Sequence, residues 1–265
     1  MDGQPETFST TMKAWKFQSG VWEPGGSLEL ADRSFRYGMS VFETVAVVDG
    51  RSLFLDEHLE RLARASSDRG WRDAALPAST PPIPKATGVV RVYLTAGPGG
   101  VCEPLAGSCF ALFEECEVGT DFPQLRLVLS SAPYLPGPGG WKTGNYWQNV
   151  DALVAAQTQG ADDALLFNPA GCLVSASMGN VFLEVEGGWK TPALETGARA
   201  GVIREWVMKH LPVEESLLDA DSVARATSGF LTNSRVGIRP VAELDGRTLQ
   251  TEATALQRIY RDNVL

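Results

Sequence analysis

Apolar residues recur along this chain in two rhythms, and the change from one to the other lays out the elements. Runs 41–48, 89–95, 109–113 and 125–130 are short, apolar and rich in β-branched or aromatic residues, and they read as strands. A helical spacing starts at Asp56, with Leu59, Leu62 and Ala63 on one face and Asp56 as the N-cap. Stretch 76–86 carries Pro77, Pro81, Pro82 and Pro84, so it holds no regular element and reads as a surface connection. Stretch 131–141 is also dominated by Pro and Gly, and it lies after a strand and before a helical run over 143–158. Beyond it come strands over 164–168 and 172–175 around the turn Pro169-Ala170-Gly171, a strand over 180–184 and a helix over 200–211. The expected organisation is an N-terminal α/β lobe over 1–131, an interdomain loop over 132–141 and a C-terminal lobe over 142–265, with no internal repeat.

Composition narrows the class. A chain of 265 residues, 44% hydrophobic, can bury a core in each of two lobes. A net charge of -9 and a pI near 4.8, without clustered Lys or Arg, argue against nucleic-acid or anionic-membrane partners and for a small molecule. No apolar stretch approaches the roughly 18 residues of a membrane helix, and the first residues lack the order of a signal peptide, so a soluble cytoplasmic protein is expected. Cys102, Cys109, Cys116 and Cys172 have no CxxC spacing, so neither a disulfide framework nor a metal site is expected. With only His58 and His210, each on a helical pattern, a Ser-His-acid constellation has little to build from.

Among six lysines, Lys142 alone has a context suited to chemistry, at the end of Pro136-Gly137-Pro138-Gly139-Gly140-Trp141 where the two lobes would meet. Gly201-Val202-Ile203 offers backbone donors and a positive dipole to an anion, although an ordinary helix start would look the same. Arg91 interrupts an apolar strand, where it is either paired inward or solvated on one face.

Taken in order, several blocks resemble the class IV, fold type IV pyridoxal-phosphate enzymes, which include branched-chain aminotransferases, D-amino-acid aminotransferases and aminodeoxychorismate lyases. The blocks are Asp32-Arg33, Tyr37-Gly38, Val41-Phe42-Glu43-Thr44, His58-Leu59-Glu60-Arg61-Leu62 and Lys142-Thr143-Gly144-Asn145-Tyr146. They continue with Gly160-Ala161-Asp162-Asp163-Ala164, Asn180-Val181-Phe182, Thr191-Pro192, Gly201-Val202-Ile203-Arg204 and Phe230-Leu231-Thr232-Asn233-Ser234. The resemblance implies an α/β (α+β) two-domain fold with a barrel-like C-terminal lobe, a homodimer, and pyridoxal 5′-phosphate as cofactor. It makes Lys142 the covalent anchor and acid/base, and gives the phosphate to Arg61, to Gly201, Val202 and Ile203, and to Ser234. It sets Tyr146 at the cofactor's ring oxygen, and Tyr37 and Arg91 at the substrate carboxylate.

Two positions depart from the family's pattern. Ser175 stands five residues before Asn180, where relatives carry a glutamate that keeps the pyridine nitrogen protonated; a hydroxyl bonds the nitrogen without charging it. Arg199 stands where relatives present an apolar side chain to the cofactor ring. The reading that results is an aminotransferase of branched-chain or D-amino-acid type, handling an amino acid and a keto acid. The alternatives are an aminodeoxychorismate-type lyase and a catalytically weak cofactor-binding protein.

Overall fold

The computed structural model describes residues 12–71, 76–83, 85–105, 107–250 and 254–265. Its first half builds one antiparallel sheet from β1 (Met12–Gln18), β2 (Val21–Pro24), β3 (Ser40–Val48), β4 (Arg51–Ser52), β5 (Gly88–Thr95) and β6 (Ser108–Glu115), in the order β2-β1-β6-β5-β3-β4. Helix α1 (Arg33–Tyr37) precedes β3, capped by the Asp32 carboxylate and closed by Gly38 in the left-handed region. Helix α2 (Leu55–Asp68) packs on β3, and Val45, Val47, Leu62, Val90, Val92, Leu94 and Phe113 form the core between them.

α2 differs from expectation at both its start and its face. It begins at Leu55 after Phe54 in the left-handed region with no side-chain cap, so Asp56 lies in the first turn and acts through the helix dipole. The buried positions are His58, Leu62, Ala65 and Ser66, with Leu59 and Ala63 half-buried. A polar residue occupies the inward face because a carboxylate waits for it on β3.

The second half forms a nine-stranded sheet from β7 (Leu125–Leu129), β8 (Asp163–Phe167), β9 (Leu173–Ala176), β10 (Asn180–Val185), β11 (Gly188–Pro192), β12 (Val213–Ser216), β13 (Ser228–Asn233), β14 (Gly237–Leu244) and β15 (Arg247–Thr248). Its path is β12-β11-β10-β13-β14-β7-β8-β9, with β15 on β14. Helices α3 (Trp147–Thr158), α4 (Val202–His210), α5 (Ala220–Arg225) and α6 (Thr254–Val264) surround it. The α/β class and two lobes read from the chain are thus observed. β7 runs parallel to both β14 and β8, so in sheet terms the division falls before Leu125, ahead of the 132–141 loop. The strand looked N-terminal because parallel partners are distant in sequence and leave no local mark on it.

The run after Lys142 is not yet helix. Phe42 N–H donates to the Lys142 carbonyl at 2.9 Å, Gly144 N–H donates to Ser40 O at 2.9 Å, and Thr143 bridges Val41 in antiparallel register. The backbone of 142–144 is engaged with β3, which delays α3 to Trp147. Gly144 makes the approach possible, since a Cβ there would strike Ser40 Oγ.

Behind α4, Phe230 and Phe182 stack at 4.7 Å with Trp189 at 4.9 Å, and both phenylalanines are fully buried. Phe230→Ala is expected to cost about 3–5 kcal/mol, read as a lower midpoint in chemical denaturation with an unchanged slope.

Candidate active site

A cavity of about 650 Å³ opens where the two sheets meet. β3 supplies Phe42 and Glu43, α2 supplies His58 and Arg61, β5 supplies Arg91, and the segment before α3 supplies Lys142 and Tyr146. The second lobe closes it with Ser175, Arg199, Gly201, Val202, Ile203, Thr232 and Ser234. Ten of the eleven residues singled out from the sequence therefore share one cavity. Tyr37 is not among its lining residues; it is 45% exposed at the end of α1, under the Arg36 guanidinium at 4.8 Å.

Lys142 is half-buried, and its open part lines the cavity. Its Nζ lies 4.7 Å from the Phe42 ring centroid and 5.2 Å from that of Tyr146. Burial of the amine drives its pKa below the ordinary lysine range, and Arg199 and Arg91 push the same way against Tyr146 and Glu43. Tyr146 is held below the ordinary phenol range: burial works against its charged form, but Lys142 and Arg199 outweigh it. Arg199 Nη1 donates to Tyr146 Oη at 3.1 Å, and its carbonyl accepts from Asn180 Nδ2 at 2.8 Å. Its charge persists despite burial, chiefly through Tyr146. No carboxylate pairs with it among the described residues.

The opposite wall is shaped for an anion. α4 starts at Val202 without a side-chain cap. Gly201 N–H is spent on Arg199 O at 2.9 Å, so Val202 and Ile203 carry the free first-turn donors. Gly201 contributes room instead, because a Cβ there would collide with Asn180 Oδ1. Arg61 reaches Glu43 Oε1 at 3.3 Å and Glu205 at 4.0 Å, and not its helix neighbour Glu57. Ser234 is presented by a turn that Asn233 Oδ1 organises, accepting from Arg235 N–H and Val236 N–H at 3.0 Å each. Arg91 pairs with Glu114 at 2.7 Å on the first-lobe wall.

Sequence reasoning overlooked three polar groups in this cavity. Glu43, 8% exposed, accepts from His58 Nδ1 at 2.8 Å; burial opposes its charge, but that bond and Arg61 hold its pKa below the usual carboxylate range. His58, set aside as one of only two histidines, each on a helical pattern, has Nε2 3.3 Å from Ser234 Oγ. Asp163 accepts from Ser177 Oγ and from Ala164 N–H at 2.7 Å, and burial pushes its pKa up. A lone acid inside the apolar run 41–48 was the available signal for Glu43. Ser175 lines the cavity from β9 and brings a hydroxyl to it.

Comparison with known proteins follows the same geometry. The chain is 25% identical over 264 residues to a protein of Methanocaldococcus jannaschii provisionally named a branched-chain-amino-acid aminotransferase, covering 91% of each. It is 25% identical over 260 residues to an aminodeoxychorismate lyase of Bacillus subtilis, covering 88% of each. The fold matches a branched-chain aminotransferase of Thermoproteus uzoniensis, solved with norvaline, at a TM-score of 0.83 and 24% identity, covering 94% of this chain and 93% of that one. The model of the family Amino-transferase class IV matches residues 40–244, a span that runs through both sheets and takes in every cavity residue from Phe42 to Arg239, and this chain belongs to that family.

Proposed function

We propose that this protein is a pyridoxal-phosphate-dependent aminotransferase acting on an α-amino acid, of branched-chain or D-amino-acid type. The observation that carries the reading is a lysine amine with a lowered pKa, facing an uncapped helix N-terminus across one cavity. The donor set fits a phosphorylated pyridine aldehyde. Thr232 Oγ1 is buried on the cavity wall with no hydrogen-bond partner among the described residues, and α4 begins with no side-chain cap.

Arg61, the Val202 and Ile203 amides and Ser234 would hold the phosphate, Tyr146 the ring oxygen, Ser175 the pyridine nitrogen, and Lys142 the carbonyl carbon. When bound, the cofactor supplies the carbonyl that exchanges with an amino group and the conjugated ring that draws electron density from Cα. Lys142 Nζ, neutral at lower pH than an ordinary lysine, takes the Cα proton and returns it. Phe42 and Tyr93, stacked at 5.1 Å, keep water from that amine on the first-lobe side. Arg199 fixes the Tyr146 oxygen by donating to it. Arg91, on the cavity wall, is assigned to the substrate carboxylate, and Tyr37, outside the lining residues of this cavity, drops out of that role.

The lyase reading is favoured by one observation, the equal identity to a relative named aminodeoxychorismate lyase. Products separate the two: a keto acid plus an aminated acceptor, against pyruvate with no acceptor needed. Supporting a homodimer, Trp147, Val150 and Val154 line one face of α3 at 73%, 46% and 54% exposure, and Phe35 and Leu30 are 64% and 75% exposed. Four free thiols suit a reducing compartment such as the cytoplasm, and no helix among the described residues is long and apolar enough to cross a membrane.

Borohydride reduction of protein loaded with pyridoxal phosphate is expected to fix the label on Lys142 by peptide mass, and Lys142→Ala to lower kcat by about 10³-fold or more; label on another lysine would refute the assignment. Removing the Arg199 charge raises both Lys142 and Tyr146. Arg199→Leu should therefore move the rising limb of the kcat–pH profile to higher pH, and in the cofactor-free protein shift the tyrosinate absorbance lost in Tyr146→Phe to higher pH. Sedimentation velocity should show a dimer that Trp147→Glu dissociates.

A further inference from the structure

Three side chains from three elements form a line that ends in the cavity: Glu43 on β3, His58 on α2 and Ser234 in the β13–β14 turn. Glu43 Oε2 and His58 Nδ1 are 2.8 Å apart, and His58 Nε2 and Ser234 Oγ 3.3 Å apart. Glu43 and His58 are 8% and 3% exposed, so bulk water does not compete for the link between them. The charged groups around the imidazole are Glu43 across from it on β3, Arg61 one turn along α2, Glu205 in the first turn of α4, and Lys142 beyond Glu43. Arg235 follows Ser234 in the turn and bonds the Glu117 carbonyl at 3.0 Å.

The Glu43 carboxylate can only accept, so Nδ1 of His58 carries a hydrogen, and Nε2 decides the direction of the last link. In the neutral ring Nε2 accepts, and the single hydrogen of Ser234 is spent on it. Ser234 then offers the cavity lone pairs alone. In the charged ring Nε2 donates to Ser234 Oγ, which releases the hydroxyl hydrogen toward the cavity. An anion seated between Arg61 and the α4 amides favours the second state, because it gains one donor and a nearby positive charge.

We propose that His58 is a positioning residue that couples phosphate binding to proton uptake: a phosphate ester is held with His58 charged and Ser234 donating, and its departure returns the proton to solvent. One proton enters at Nε2 and one leaves, with no other change in bonding. The inference rests on the cofactor reading of the cavity. Its sign follows directly. The charged ring gains population as pH falls, so affinity for the phosphate ester rises as pH falls, relative to a variant whose side chain cannot charge. The second ionisation of the phosphate, near pH ~6, acts on both proteins and cancels in their ratio.

With only two histidines in the chain, imidazole nitrogen NMR of the intact protein reads the ring directly, and His210→Gln assigns the signals. At a pH where the cofactor-free protein shows His58 with one protonated nitrogen, adding pyridoxal 5′-phosphate should convert it to two. Pyridoxal without the phosphate should leave it unchanged. In parallel, the ratio of cofactor dissociation constants, His58→Gln over wild type, should rise as pH falls, by at most about tenfold per pH unit for one proton. A His58 ring in the same state with and without phosphate ester, or a flat ratio, overturns the coupling. A cofactor spectrum with an unchanged ring would sink this inference and leave the aminotransferase reading standing, whereas no cofactor spectrum would remove both.

Discussion

The rest of this site depends on one backbone pairing, the antiparallel hold of 142–144 on β3. The hydrogen bond from Phe42 N–H to the Lys142 carbonyl ties the start of the second lobe's helical segment to β3 of the first lobe. Lys142 therefore projects into the gap between two sheets, where its ammonium loses water and its pKa falls below the ordinary lysine range. The same pairing brings Tyr146 beside it and delays α3, so the phenol reaches the Arg199 guanidinium. Both lobes contribute to the surroundings of this amine.

Charge is partitioned within the cavity so that two cations meet carboxylates and two share a phenol. Arg61 is neutralised by Glu43 with help from Glu205, and Arg91 by Glu114. Arg199 is left with a phenol as its partner, and Lys142 with that phenol and two aromatic faces. A buried guanidinium without a carboxylate is costly unless something anionic meets it. The lowered Tyr146 phenol is this protein's partial answer, and it stands in a site where Ser175 brings no negative charge. Ser175 brings a hydroxyl and Arg199 a cation to this cavity, shifting the field within it toward positive.

Some of this was legible along the chain because it depends on local physics. The strands around 41–48, 89–95 and 109–113, the helix after residue 200 and the Pro/Gly punctuation before Lys142 follow from periodicity and backbone stiffness. The rest depends on partners remote in sequence. β7 could not be given to its sheet from its own residues, because its neighbours β14 and β8 lie beyond it in the chain. The inward face of α2 was misjudged because hydrophobicity ranks His58 as outward, and only Glu43 on the adjacent strand makes its burial favourable.

The sequence by itself determined the alternation of elements, the isolation of one lysine beside a loop, and the ordered residue blocks that mark a family. Tertiary structure alone decided which groups share the cavity: that Gly201 provides space while Val202 and Ile203 provide donors, that Arg199 meets Tyr146, and that Glu43, His58 and Ser234 form a line. The physical reason is that secondary structure is set by short-range dihedral and burial preferences, whereas hydrogen-bond partners and desolvation are properties of places that several distant segments make together.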